Sequence, residues 1–139
     1  MTESERPGLL DYLVLLVVCA TSFLAGIVEV LLVPLYSGTV ILPITVLLGV
    51  ATTYGFPKLG YWLTTTISGG LLPLVTWFVA TLGLAFIGRP EADVVVEGGN
   101  AQQWVLFALI VAGAVVGFAT VVRVSGAAAQ VRTAPPVSS

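Results

Sequence analysis

The sequence has no histidine, a single cysteine (Cys19) and little charge, since only 9% of its 139 residues are Asp, Glu, Lys or Arg. A sequence without histidine and with one cysteine cannot supply the His/Cys clusters that hold zinc, haem or iron–sulfur groups. It also provides no intrachain disulfide and no Ser-His or Cys-His nucleophile pair. We therefore expect no cofactor, no metal site and no catalytic residues, and we expect a protein that is not an enzyme.

Basic residues are also too scarce to form a nucleic-acid-binding surface. Five Lys and Arg stand against seven Asp and Glu, which gives a formal net charge of −2. Binding to phosphate backbones depends on a concentrated basic patch. We therefore expect no nucleic-acid partner.

Apolar residues, in contrast, are abundant. They make up 58% of the chain, and the mean hydropathy is +1.08. A soluble domain of this size cannot hide so much apolar surface from water, so the lipid bilayer is the expected surrounding. A hydrocarbon core of about 30 Å requires about 20 apolar residues per helix, which leaves room for roughly four crossings.

The order of apolar runs predicts the fold class: an all-α polytopic membrane protein with four transmembrane helices in an antiparallel bundle. Turn-forming and polar stretches separate the runs. The helices are predicted over about residues 9–33, 40–56, 63–88 and 104–124, within one transmembrane domain, 9–124. Residues 1–8 are expected to be a cytoplasmic N-terminus, 89–103 an external acidic loop and 125–139 a disordered cytoplasmic tail.

The basic residues predict which way the chain crosses. With four crossings, Arg89 lies on one side of the membrane and the other four basic residues lie on the opposite side. The positive-inside rule then places both termini in the cytoplasm of a multi-pass plasma-membrane protein. The residues on the cytoplasmic side are Arg6, Lys58, Arg123 and Arg132.

Glu29 is the only charged residue between Tyr12 and Pro57. Because an acidic group is costly in hydrocarbon, it normally faces protein, water or a counter-ion. Small residues at Ser22 and Gly26 share its helix face, so we expect Glu29 to point at a neighbouring helix. The predicted partner is Arg89, in an ion pair or through a shared water, which would make the carboxylate structural. A contact with another protein, a proton- or cation-coupling role and snorkelling to the interface remain open.

Small residues mark two candidate packing faces. Gly113 and Gly117 stand one turn apart in the fourth helix, as Ser22 and Gly26 do in the first, and this spacing allows close helix approach. The partner could be another helix of this chain or another protein. Trp77, which lies in the middle of the third helix, is predicted to be a packed or lipid-facing indole.

Two polar segments have alternative interpretations. The stretch "TTTISGG" at 64–70 is predicted to be a frayed helix start, with a broken helix lining a polar cavity as the alternative. The external loop carries three acids and a β-prone "DVVV". It is the candidate recognition loop, with Glu91, Asp93 and Glu97 as its candidate residues, and a solvated acidic loop is the alternative.

The runs "LLVPLYSGTVILPITVLLGV" and "GRPEADVVVEGG", with a Trp-led final helix, resemble a family of small four-helix integral membrane proteins of actinobacteria. The resemblance covers most of the chain and implies a plasma-membrane location, without implying a reaction or ligand. The small multidrug exporters likewise have four helices and an essential Glu in the first. Glu29, however, lies near the exit end of its helix, and the aromatic residues of their drug pocket have no clear counterpart here.

These features predict a non-catalytic accessory or scaffolding component of a membrane assembly, whose partners are the lipid bilayer and other membrane proteins or a second copy of itself. The alternative is a small oligomeric transporter or channel that uses Glu29. A water-reachable cavity holding Glu29 and Thr64–Thr66 would favour transport. A dry bundle with Glu29 neutralised by Arg89 would favour the accessory role.

Overall fold

The computed structural model describes residues 7–33, 36–37, 40–41, 44–87 and 100–133. Its helices are α1 (Leu9–Leu32), α2 (Ile44–Thr64), α3 (Ile67–Phe86) and α4 (Asn100–Thr133). Two strands of two residues each, β1 (Tyr36–Ser37) and β2 (Val40–Ile41), lie between α1 and α2. The predicted all-α class is confirmed.

Three helical segments of the described chain are long and apolar enough to cross a membrane: Leu9–Leu32, Ile67–Phe86 and Gln103–Val131. The remaining helix, α2, is continuous, but threonines, glycines and Lys58 interrupt its apolar sequence. The first helix begins and ends close to its predicted bounds. Its start is fixed by Asp11, whose carboxylate accepts a 2.8 Å hydrogen bond from the backbone N–H of Gly8 and carries negative charge at the helix N-terminus.

The second helix is displaced from its predicted range of 40–56, which was wrong at both ends. Val40–Ile41 pairs with Tyr36–Ser37 in an antiparallel ladder instead of starting the helix. Val40 and Ile41 are β-branched and favour a strand. A proline disfavours helical backbone in the residue before it, so Pro43 favours a start of α2 after residue 42. At the other end Pro57 lies inside α2. Three other helices pack against α2, and such neighbours can support the backbone where a proline removes a helical hydrogen bond.

The connection from α2 to α3 is therefore only Thr65 and Thr66, not the predicted segment beginning at Pro57. Thr65 has a φ of 53°, in the left-handed region. The Thr66 side chain caps α3 by accepting a 3.2 Å hydrogen bond from the backbone N–H of Gly69. The threonine cluster thus forms a capped helix start, and the predicted third helix over 63–88 shortens to Ile67–Phe86.

The fourth helix is longer than the predicted 104–124, because it runs from Asn100 to Thr133. The prediction of a disordered tail from residue 125 was wrong as far as Thr133. The segment after Ser125 is rich in alanine, which has the highest helix propensity. Extending an existing helix needs no new nucleus. Residues 134–139 lie outside the described residues.

In the bundle, α1 packs on α2 and α3, while α4 packs on α2 and, less extensively, on α3. The core cluster consists of Val33, Trp77 and Leu109, each with no exposed surface. Glycines bring the backbones together at the hairpin between α2 and α3. A Cβ at Gly60 would clash with the carbonyl oxygen of Gly69, so the two helices touch backbone to backbone there.

Candidate functional site

The candidate site is built around Glu29, which lies one turn before the end of α1 and has no exposed surface. The sequence of α1 places it there because Ser22, Gly26 and Glu29 fall on one helical stripe. All three are buried. The opposite faces of α1 are exposed and apolar: Leu16, Val17, Phe23, Leu24, Val28 and Leu31.

Each oxygen of the Glu29 carboxyl group accepts a hydrogen bond from a different helix. The indole Nε1 of Trp77 in α3 donates to Oε2 at 2.7 Å. The hydroxyl of Thr52 in α2 lies 2.8 Å from Oε1, within donating distance. One side chain of α1 is thereby linked to both of the helices on which α1 packs.

A glycine and a leucine complete the enclosure of the carboxyl group. A Cβ at Gly49 of α2 would lie 3.2 Å from Glu29 Oε2 and would clash with the side chain of Leu109. The absent side chain therefore makes room for the carboxyl group between α1 and α2. Leu109, fully buried on α4, lies next to the same point of Gly49 as the Glu29 carboxyl group. All four helices thus contribute to the surroundings of Glu29.

The predicted packing face of α1 lies against α3. The Ser22 hydroxyl donates a 2.7 Å hydrogen bond to the carbonyl oxygen of Pro73. A Cβ at Gly26 would lie only 3.1 Å from the Ala80 Cβ and from the Trp77 carbonyl oxygen. The small residues therefore allow α1 to reach the backbone of α3.

The predicted glycine pair of α4 also faces α3. A Cβ at Gly113 would lie 2.9 Å from Cζ3 of Trp77, and one at Gly117 would lie 3.0 Å from Cδ2 of Leu74. Both glycines leave space for large side chains of the third helix. Of the two partners considered for this pair, the described contacts are within the chain.

The structure supplies two partners for Glu29 that the sequence reasoning missed. Trp77 was interpreted only as a packed or lipid-facing ring, and Thr52 was not singled out. A usable signal existed for Trp77, because a buried indole N–H requires an acceptor, and apart from Asp11 in the first turn of α1, Glu29 is the only carboxylate within the apolar runs. Arg89 lies outside the described residues, so its pairing with Glu29 stays a prediction.

The geometry does not bring Glu29 together with the threonine cluster. Thr52, which is bonded to Glu29, precedes Thr64 by 12 residues of α2, a rise of about 18 Å along the helix axis. Thr64–Thr66 instead serves the α2–α3 connection at the far end of the bundle. The arrangement that would favour transport, with both groups in one cavity, is therefore absent from these described residues.

The remaining site predictions concern the external loop and metal binding. The candidate recognition residues Glu91, Asp93 and Glu97 lie outside the described residues. Within the described ranges, no group of three or more His, Cys, Asp or Glu side chains is arranged to hold a metal ion.

Comparison with known proteins gives no assignment for this site. No protein-family model, no curated protein and no solved structure matches the chain. The resemblance to small actinobacterial membrane proteins stays a prediction, and the functional conclusion depends on the surroundings of Glu29.

Proposed function

We propose that this chain is a non-catalytic integral membrane protein, an accessory or scaffolding component of a membrane assembly. In this proposal all four helices cross the plasma membrane as an antiparallel bundle with both termini in the cytoplasm. Glu29 is the structural centre of the bundle. Other membrane proteins, or a second copy of this chain, contact the outer surface of the bundle.

The crossing of α2 is supported by where its polar residues point. Thr45 and Thr53 are 1% and 2% exposed, and Gly49 and Gly60 are buried as well. Since α2 packs on all three other helices, a smaller part of its surface faces lipid. A helix in that position can cross with a lower hydropathy than helices at the edge of the bundle.

The antiparallel arrangement is supported by the order of contacts between helices. Along α2, Gly60 lies against Gly69 and the earlier Gly49 lies near Trp77, so residue numbers fall in α2 as they rise in α3. The contacts of α4 with α3 run in the same opposing sense, from Gly113 at Trp77 to Gly117 at Leu74. Alternating directions are those expected when successive helices cross and return.

The observation that supports a structural role is the enclosure of Glu29. A carboxyl group that couples transport must exchange protons or ions with water or a cavity. Glu29 has no exposed surface, and both its oxygens lie within hydrogen-bond distance of side chains on α2 and α3. These contacts favour a group that fixes helix positions over one that picks up and releases a cargo.

The experiment that tests the scaffold role is recovery of the tagged protein in mild detergent, with quantitative mass spectrometry. A tagged, unrelated four-helix membrane protein, expressed at the same level, is the matched control. The proposal expects one or more membrane proteins in near-equal amounts, absent from the control. Recovery only as a homo-oligomer, together with proton or cation flux in vesicles that Glu29→Gln abolishes, would contradict it and favour the transporter.

A further inference from the structure

A groove of about 300 Å³ between α2 and α4 carries two cationic side chains. Lys58 comes from α2 and Arg123 from α4, and the Tyr54 side chain lines the groove beside Lys58. The remaining wall is mainly apolar, as at Val116 and Ala119. The groove therefore joins a positively charged end to a hydrocarbon-like surface.

Lys58 lies within α2 and not at its end. It lies six residues before the end of α2 at Thr64, about 9 Å inside that end of the helix. Its Nζ is 3.5 Å from the Tyr54 hydroxyl and 5.3 Å from the centre of the Trp62 ring. These neighbours can support a cation, and a negatively charged partner would stabilise it further.

The described part of the chain offers no such negative partner. None of the residues that line the groove is acidic. The two carboxylates in the described ranges are engaged elsewhere, because Asp11 caps α1 and Glu29 is bonded to Trp77 in the core. The groove thus presents two positive charges, and its charge complement is an anion.

We propose that this groove binds an anionic phospholipid, with the headgroup phosphate between Lys58 and Arg123 and an acyl chain along Val116 and Ala119. Basic pockets between helices on the cytoplasmic side are typical sites for such headgroups. The sidedness prediction places both cations on that side. The inference rests on the membrane setting of the proposed function, but not on the scaffold role.

The aromatic residues around the cations fit the level of lipid headgroups. Arg123 also borders a second groove, lined by Tyr61 and Trp62, and such amphipathic rings prefer the membrane–water interface. Along α4, Arg123 follows Leu109 by 14 residues, about 21 Å of helix. Leu109 and Glu29 both lie beside Gly49, so the distance along the bundle between the cations and Glu29 is about two thirds of a hydrocarbon core of about 30 Å.

The test uses the full chain in mild detergent and native mass spectrometry. Phosphatidylglycerol is titrated against phosphatidylcholine with the same acyl chains. We expect phosphatidylglycerol to be retained preferentially. Lys58→Gln with Arg123→Gln should weaken its binding by about 25-fold, about fivefold for each charge removed. The charge-preserving pair Lys58→Arg with Arg123→Lys should stay within about twofold of the original, because the phosphate keeps two cations.

Arg132→Gln is the matched control, since it removes one charge from α4 nine residues beyond Arg123. It should leave the preference unchanged. Arg123→Gln alone, at an exposed position, provides a second variant if the double variant does not fold by circular dichroism. It should still show the loss expected for one charge.

Three results would overturn the proposal. The first is equal retention of the two lipids, and the second is unchanged phosphatidylglycerol binding by the folded double variant or by Arg123→Gln alone. The third is displacement of the lipid by millimolar inorganic phosphate alone. The last would identify a soluble anion as the ligand. Each of these results can occur in a protein that still recovers its membrane partner, so failure of the lipid site is distinguishable from failure of the scaffold role.

Discussion

The indole of Trp77 in α3 donates a 2.7 Å hydrogen bond to the carboxyl group of Glu29 in α1, and neither side chain has exposed surface. This bond satisfies two buried polar groups that lie 48 residues apart in sequence. Removing either partner leaves the other without its hydrogen-bond partner in a low-dielectric interior, where the penalty is largest. Substitution of either residue is therefore the most direct test of what stabilises the bundle.

Trp77→Phe removes the indole donor and some ring volume while keeping an aromatic side chain. We expect the free energy of unfolding to fall by about 1–3 kcal/mol, because a buried carboxyl oxygen loses its partner. The measurement is unfolding in mixed micelles, followed by circular dichroism as the denaturing detergent is increased. Trp104→Phe is the matched control at a side chain that is 69% exposed. Equal effects of the two substitutions would contradict the role given to the bond.

Gly60→Ala tests the backbone contact between α2 and α3. Its new Cβ would meet the carbonyl oxygen of Gly69, which belongs to the backbone and cannot rotate away. We expect a loss of about 1–3 kcal/mol, typical of overpacking. Gly55→Ala, on the same helix, places its Cβ where no atom lies within 4 Å, and should be neutral or stabilising. A stable Gly60→Ala protein would argue against this close approach.

The two threonines that connect α2 to α3 should respond in opposite directions. Thr65 has a φ of 53°, which is strained for a β-branched residue, so Thr65→Gly should stabilise the protein by up to about 1 kcal/mol. Thr66 caps α3 through Gly69, so Thr66→Ala should cost about 1 kcal/mol. Thermal unfolding in one detergent compares them directly. Destabilisation by both would show that Thr65 is not held in the left-handed region.

The first helix and the all-α class could be predicted because an uninterrupted apolar run leaves few alternatives. The bounds of α2 could not, because a proline such as Pro57 ends a helix in water but is accommodated where other helices pack around it. The extension of α4 to Thr133 was missed because a small, polar composition was taken as disorder. Its alanines instead continue a helix already nucleated in the apolar segment.

The candidate site could be predicted only in part. The face shared by Ser22, Gly26 and Glu29 follows from helical periodicity alone, and it is buried. The partners of Glu29 depend on how three helices are rotated about their axes, which no single segment encodes. Charge suggested Arg89 as the partner, whereas the described contacts are with Trp77 and Thr52, two neutral donors.

The central claim is that the chain crosses the bilayer four times, and labelling from outside intact cells tests it most directly. A Cys19→Ser background allows single-cysteine reporters at Ser4, Val94 and Val137, probed with a maleimide that cannot cross membranes. The account predicts labelling of Val94→Cys from outside, and labelling of Ser4→Cys and Val137→Cys only after the cells are permeabilised. Termini on opposite sides, as three crossings would give, would contradict it.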